Sequence, residues 1–203
     1  HLRRLTLQQN QLDSLPHELT QLKQLDSLCI YENHFQGFPL IITQMPQLKE
    51  LIFSHNHLPT LPPHIHRLQN LVNLTLNHVR LEVLPEEIGQ LSQLDYLSLY
   101  NNRLAQLPDS LGKLTQLRSL NLGHNYLTTL PSSLGQLHTL TQLNLSHNQL
   151  TDLPESMENL PNLRRLILRN NKFTHLPKAL RGLSKLQEIH LSNNPLPPSE
   201  KQL

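Results

Sequence analysis

Leucines recur every 23 residues along the whole chain, and this period constrains the fold more than any other feature of the sequence. Each unit opens on a leucine, and the openings are Leu2, Leu25, Leu48, Leu71, Leu94, Leu117, Leu140, Leu163 and Leu186. Repeats of roughly 20–50 residues predict a solenoid, because one unit cannot bury its own apolar face and stacking creates the core. Function must then lie on the surface that stacking leaves exposed.

Within each unit the spacing of the apolar residues changes from strand-like to helix-like. In the fifth unit Leu97 and Leu99 alternate with other residues, which predicts a short strand with one apolar face. Leu107 and Leu111 follow at helical spacing, and Pro108 stands where its missing N–H costs nothing, at the start of a helical turn. Each unit is therefore predicted to contain one strand and one or two short helical turns, of 3₁₀ type.

An asparagine column follows the predicted strands. It contains Asn10, Asn33, Asn56, Asn102, Asn125, Asn148, Asn171 and Asn194. A buried Asn side chain can donate and accept hydrogen bonds at once, so a ladder of them can satisfy the backbone of each turn and of its neighbour. The fourth unit carries Val79 instead, and we expect backbone groups in that turn to stay unsatisfied, at about 1–3 kcal/mol for each buried group.

The full repeat, L-x-x-L-x-L-x-x-N-x-L-x-x-L-P, resembles the leucine-rich repeat family in its 23-residue Leu-Pro form, as found in bacterial or intracellular scaffold-like arrays. The match covers residues 1–203 as one domain, with eight full repeats from residue 2 and a partial ninth. The resemblance implies an α/β solenoid shaped as a horseshoe. Its parallel β-sheet would form the concave face and its short helical turns the convex face. It also implies protein binding, which is what the family mostly does.

Composition and the chain ends bear on the cellular context. One cysteine excludes an intrachain disulfide and favours a reducing compartment, and no signal peptide or run of about 20 apolar residues occurs. These features predict a cytoplasmic protein without a membrane span, although secretion as an effector into a host cell is an alternative. Both ends break within a repeat, which suggests trimming from a longer protein.

Motifs for catalysis are missing from the sequence. There is no Gly-rich phosphate loop, G-x-S-x-G, H-E-x-x-H or C-x-x-C, so neither an enzyme nor a cofactor is predicted. Histidine is frequent, and four histidines share the column before the asparagines: His55, His78, His124 and His147. Neighbouring units lie about 5 Å apart, so a shared metal is conceivable. Structural zinc usually needs four ligands, and between His55 and His147 the column supplies no carboxylate or thiol, so we predict partner contact rather than a metal site.

The tyrosines mark a predicted recognition surface. All four lie outside the core columns, on or beside the predicted strands: Tyr31, Tyr96, Tyr100 and Tyr126. Tyrosine is enriched in recognition surfaces because it combines a large contact area, a polar handle and few rotatable bonds. The phenylalanines, in contrast, all fall on core columns. We therefore predict partner binding near the middle of the array.

Basic residues concentrate in the eighth unit, which carries seven of the 17 lysines and arginines and no acidic residue. In the repeat alignment Arg165, Lys178 and Arg181 each have an acid one unit away, which predicts exposed ion pairs worth about 0–1 kcal/mol. Arg164, Arg169 and Lys172 have none, and they form a predicted anchor for an acidic segment of a protein partner. Nucleic acid is not predicted, because the basic stripe is one repeat wide.

Two functions follow from these observations. The first is a non-catalytic protein–protein interaction module that binds its partner on the concave face. The alternative is the substrate-recognition segment of a larger enzyme, such as the Roco-type GTPases, or of a secreted bacterial effector, such as the ubiquitin ligases that carry similar arrays. Neither the partner nor the oligomeric state follows from the sequence.

Overall fold

The computed structural model describes residues 1–200 as a stack of near-identical units. Each unit contributes one three-residue strand to a single parallel sheet, and the strands follow one another in chain order. They are β1 Arg4–Thr6, β2 Ser27–Cys29, β3 Glu50–Ile52, β4 Asn73–Thr75, β5 Tyr96–Ser98, β6 Ser119–Asn121, β7 Gln142–Asn144, β8 Arg165–Ile167 and β9 Glu188–His190. Every strand pairs with the next in a register of 23 residues, as with Leu97 and Leu120. The predicted α/β repeat solenoid is confirmed.

A 3₁₀ helix forms the opposite side of each unit. These helices span His17–Gln21, Leu40–Gln44, Pro63–Arg67, Glu86–Gln90, Asp109–Lys113, Ser132–Gln136, Glu155–Asn159, Lys178–Gly182 and Pro198–Glu200. A proline precedes each of the first eight, and its carbonyl accepts the first helical hydrogen bond, as Pro108 does from the Leu111 N–H at 3.1 Å. The proline thus fixes the backbone at the helix start without losing a donor that the helix needs.

Leucines from both sides of each unit form one continuous core. In the fifth unit Leu97, Leu99 and Leu111 are fully buried, and the same columns are buried in the neighbouring units. The phenylalanines lie in this core, as the sequence predicted. On the 3₁₀ side the units approach so closely that a Cβ on Gly112 would lie 2.3 Å from the Ser133 carbonyl oxygen. Glycine at this position therefore allows adjacent units to stack.

The asparagine ladder bonds each unit to the one before it. The Asn125 Oδ1 accepts a hydrogen bond from the Leu104 N–H at 3.0 Å. Its Nδ2 donates to the Leu99 carbonyl of the previous unit and to the Leu122 carbonyl of its own, both at 3.0 Å. The Leu99 carbonyl also accepts from Asn102 and the Leu122 carbonyl from Asn148, so these carbonyls each receive two amide donors from successive units.

The Val79 turn corrects one expectation from the sequence. The Leu58 N–H, which an asparagine at position 79 would satisfy, instead donates to the Val79 carbonyl at 2.8 Å. The Val79 N–H in turn donates to the Oδ1 of Asn102 at 3.2 Å, and Arg80 takes a positive φ of 62°. The prediction that valine leaves this turn unsatisfied was wrong, because the backbone rotates and Asn102 serves both units.

Candidate partner-binding surface

The sheet presents one face to the core and one to the outside. On β6 the Leu120 side chain is buried, whereas Ser119 and Asn121 on either side of it are half-buried and point away from the core. This alternation follows from the period of two along a strand. The outward positions on and just after the strands form the sheet face, which contains most of the residues that the sequence singled out.

The four histidines occupy a position with an unusual backbone. Each has a φ between 54° and 56°, in the left-handed region, and the equivalent residues of the other units share it. Among residues other than glycine, asparagine and histidine tolerate this region best, which explains why Asn101 and Asn170 alternate with histidines in the column. The backbone conformation at this position therefore favours histidine and asparagine, and the sequence alone did not reveal this cause.

Six rings form a continuous ladder along the edge of the sheet face. From the second unit to the seventh this ring ladder consists of Tyr31, His55, His78, Tyr100, His124 and His147. His55 stacks on His78 with ring centroids 4.2 Å apart, and His124 stacks on His147 at 3.8 Å. Tyr100 links the two stacked pairs by edge contacts at 5.5 Å and 5.0 Å, and Tyr31 meets His55 in the same way at 5.0 Å.

Asparagine side chains fix the ends of the stacked pairs. The Asn101 Nδ2 lies 2.6 Å from His78 Nδ1, and the Asn170 Nδ2 lies 3.0 Å from His147 Nε2. In each stacked pair the second ring is thus held by a contact between an Asn side-chain amide and a ring nitrogen. Partial burial, followed by the positive charge that His55 can carry, lowers the pKa of His78. Burial, then His147, Arg169 and His78, lowers the pKa of His124. His78 and His124 are therefore predominantly neutral at pH 7.

The stacked geometry does not suit a shared metal ion. Imidazole binds a metal through a lone pair in the ring plane, and the planes of His124 and His147 lie within 17° of parallel. Their lone pairs therefore run side by side rather than converging. Within residues 1–200 no group of three or more His, Cys, Asp or Glu side chains is placed to hold a metal ion.

The remaining two tyrosines lie apart from the ring ladder. Tyr96 is on β5 and borders a depression on the sheet face that also contains Asn121, Gln142, Asn144 and Arg165. Tyr126 lies beyond the asparagine column, and its side chain is 55% exposed. It makes no ring contact with any described aromatic residue, so the structure separates it from Tyr100.

The three basic residues predicted as an anchor are spread along β8. Arg164 precedes the strand, and Arg169 and Lys172 follow it, so the first lies roughly 15–17 Å from the second at about 3.3 Å per residue. The Lys172 Nζ donates to Gln149 Oε1 at 2.9 Å. Arg169 lies close enough to the ring ladder for its charge to contribute to the lowered pKa of His124.

Of the three ion pairs expected in this unit, one forms among the described residues: Arg165 Nε lies 3.1 Å from Glu188 Oε2. Lys178 and Arg181 make no ion pair within residues 1–200. The sequence reasoning also missed the amides of Asn121 and Asn144 beside Arg165. Their recurrence at one position of neighbouring units was the available signal.

A parallel sheet built one strand per unit and backed by 3₁₀ helices defines a repeat solenoid. Models of the leucine-rich repeat match residues 47–68, 69–127, 92–150 and 139–196. The chain belongs to the leucine-rich repeat family. No curated protein matches it.

Solved structures of family members superpose closely on the chain. A leucine-rich repeat protein of Leptospira interrogans is 40% identical with a TM-score of 0.94, and an internalin of Listeria monocytogenes is 27% identical with a TM-score of 0.82. The Arabidopsis receptor kinase HAESA, solved in complex with the peptide hormone IDA and the co-receptor SERK1, is 31% identical with a TM-score of 0.82.

These alignments include nearly all of this chain but only part of each relative. They cover 98%, 92% and 96% of the chain, and 51%, 53% and 34% of the three relatives in the same order. The chain therefore spans about half the length of the two bacterial proteins. Among residues 1–200 no helix combines the length and the apolar character needed to cross a membrane.

Proposed function

We propose that the chain is a non-catalytic protein-binding module that holds its partner on the exposed face of its sheet. The ring ladder carries this proposal. Six tyrosine and histidine rings in mutual contact form a rigid surface, so little side-chain entropy remains to be lost when a partner packs against them. Tyrosine is also among the residues that dominate the energy of protein interfaces.

Two further observations support a protein partner. Leucine-rich repeats are a common scaffold for protein–protein interaction, and the HAESA structure contains a peptide hormone and a co-receptor protein. Arg164 and Arg169 add positive charge to the end of the sheet face, which favours a partner with an acidic segment. In horseshoe-shaped arrays this face is concave and could surround an extended segment.

The test uses two tyrosines with contrasting surroundings. Tyr100→Ala removes the central ring of the ladder and should weaken partner binding by about 1–3 kcal/mol, as expected for a hot-spot residue. Tyr126→Ala removes an exposed ring outside the ladder and should leave affinity nearly unchanged. Partners captured from a lysate of the source organism would be quantified against both variants. Equal losses would remove the ladder from the interface.

A second function, as the recognition segment of a larger protein, is favoured by the alignment lengths. The chain covers 34% of the HAESA chain, a receptor kinase, and about half of the bacterial relatives. In that case the array would select the substrate or ligand, and the attached part would act on it. Sequencing the gene on both sides of this segment decides between the two functions.

A further inference from the structure

A small depression on the sheet face has the chemistry of a binding site for a single side chain. It lies over β5 to β8, has a volume of about 190 Å³, and is bordered by Tyr96 at one end and Arg165 at the other. The strand register places these two residues three strands apart, or about 14 Å. Pockets for drug-sized ligands measure about 300–1,000 Å³, so this one suits one side chain.

Hydrogen bonds fix the orientation of two amides in the depression. The Asn121 Oδ1 accepts the Gly123 N–H at 3.1 Å, and the Asn144 Oδ1 accepts the Ser146 N–H at 3.0 Å. Because only the oxygen of an amide can accept from an N–H, neither side chain can be flipped. Both Nδ2 groups are therefore free to donate outward, and neither finds an acceptor within residues 1–200.

Register and local space place the two donors next to each other. Asn121 and Asn144 are partners across β6 and β7, so their side chains lie about 4.8 Å apart along the sheet. Gly123 keeps the second amide uncovered, since a Cβ there would lie 3.0 Å from the Asn144 Nδ2. A ligand with two acceptor atoms can thus meet both amides from outside the sheet.

The charge around the depression is positive. Arg165 lines it, and Arg164 lies beside Arg165 in an adjoining shallow depression. The only described acid in contact with Arg165 is Glu188, at 3.1 Å on the side away from Asn121, and no acidic residue lines the depression. A carboxylate is attracted by the charge of Arg165, whereas a neutral sugar is not.

We propose that this depression binds the carboxylate of an aspartate or glutamate in the partner protein. The two asparagine amides donate to the carboxylate oxygens, Arg165 supplies the opposite charge, and Tyr96 packs against the aliphatic part of the bound residue. The proposal rests on the proposed function in one respect, that the partner is a protein held on the sheet face. It adds the chemistry of one recognised residue and the side chains that recognise it.

The test titrates the intact chain with two tripeptides, acetyl-Gly-Glu-Gly amide and acetyl-Gly-Gln-Gly amide, and follows the side-chain NH₂ signals by NMR. The glutamate peptide should shift the Asn121 and Asn144 signals saturably, with a dissociation constant on the order of millimolar. The glutamine peptide should bind at least about tenfold more weakly, because it lacks the charge. Equal binding of both peptides, no saturable shift, or stronger binding of glucose would overturn the proposal.

Matched variants separate the site from the general electric field. The double variant Asn121→Asp and Asn144→Asp keeps the acceptor atoms and replaces the donors with negative charge, so binding of the glutamate peptide should fall at least about tenfold. The double variant Asn73→Asp and Thr75→Asp adds the same two charges to the same face on β4, outside the depression, and should change binding less than about twofold. A similar loss from this control would show that only the net charge matters.

Arginine variants give a second comparison if the asparagine variants unfold. Arg165→Gln should weaken the glutamate peptide, whereas Arg103→Gln should not. The two arginines are comparably exposed, at 46% and 50%, and both pair with a glutamate, but Arg103 lies off the sheet face. If the glutamate peptide binds but variants of the sheet face do not weaken the captured partner, the proposed function is contradicted and this inference is not. If variants of the sheet face weaken the partner but the glutamate peptide does not bind, only this inference is contradicted.

Discussion

Asn102 should contribute more to the free energy of unfolding than Asn148, another asparagine of the ladder, because it compensates for the valine in the unit before it. Its Oδ1 accepts both the Val79 N–H at 3.2 Å and the Leu81 N–H at 3.0 Å. Its Nδ2 donates to the Leu76 carbonyl at 2.7 Å, which has no second asparagine donor. Asn102→Ala therefore leaves three buried backbone groups without a partner.

The matched control is Asn148→Ala, in a regular part of the ladder. It leaves only the Leu127 N–H without a partner, since the Leu122 and Leu145 carbonyls keep the amides of Asn125 and Asn171. At about 1–3 kcal/mol for each buried unsatisfied group, the control should cost about 1–3 kcal/mol and the Asn102 variant about 3–9 kcal/mol before any relaxation.

The assay is equilibrium unfolding in urea, followed by circular dichroism and by tyrosine fluorescence. Both substitutions remove the same atoms, so the cavity terms largely cancel and the difference reports the hydrogen bonds. We expect a difference of at least about 2 kcal/mol at comparable m-values. Equal losses from the two variants would refute the reasoning and show that the Val79 turn does not depend on Asn102.

Three further outcomes are expected. Val79→Asn should give no gain in the midpoint of thermal unfolding, because the backbone already satisfies that turn; a clear increase would contradict this. Gly112→Ala should cost about 1–3 kcal/mol by overpacking in urea unfolding, whereas Gly37→Ala, with no atom within 4 Å of the new Cβ, should not destabilise. Stability should fall with acid, because the unfolded chain takes up protons near the ordinary histidine pKa of 6.5 before His78 and His124 do in the folded state. The contribution of these two histidines to stability is complete above about pH 6.5 and is lost as the pH falls toward their pKa values in the folded state. Replacing both by Asn should therefore make the free energy of unfolding less dependent on pH between pH 7 and pH 5.

The sequence was sufficient to predict the fold because the signals repeat. Leu97 alone indicates little, but the same residue type at one position of every unit fixes the strand, its register and its buried face. The helix start after each proline and the turn at each asparagine of the column were predicted for the same reason. A single interruption could not be predicted in the same way: the adaptation at Val79 depends on the backbone carbonyl and on Asn102, and no repeat pattern encodes it.

The candidate site was predicted in part. The repeat alignment placed His78 beside His55 and put Asn101 between the two histidine pairs, but it gave no ring orientations. It therefore predicted neither the stacking of the histidines nor the contacts of Tyr100 with both pairs. Tyr126 was grouped with Tyr100 because both lie outside the core columns. The structure separates them because the chain turns at the asparagine column between the two positions.

The direction of individual side chains could not be predicted from the sequence either. Which end of the Asn121 amide faces outward depends on a hydrogen bond to a backbone N–H two residues later, and this geometry appears only once the turn is formed. The asparagine column could be predicted because it recurs in eight of nine units, whereas the pair formed by Asn121 and Asn144 occurs once.

The claim that partners bind the sheet face can be tested by blocking one side of the array at a time. The single native cysteine is first replaced in Cys29→Ser, and a new one is introduced either on β4, as Thr75→Cys, or on the 3₁₀ side, as Ser132→Cys. Each variant is labelled with a polyethylene glycol maleimide and its affinity for the captured partner is measured. The label on β4 should abolish binding and the label on the 3₁₀ side should leave it unchanged; the reverse pattern would contradict the account.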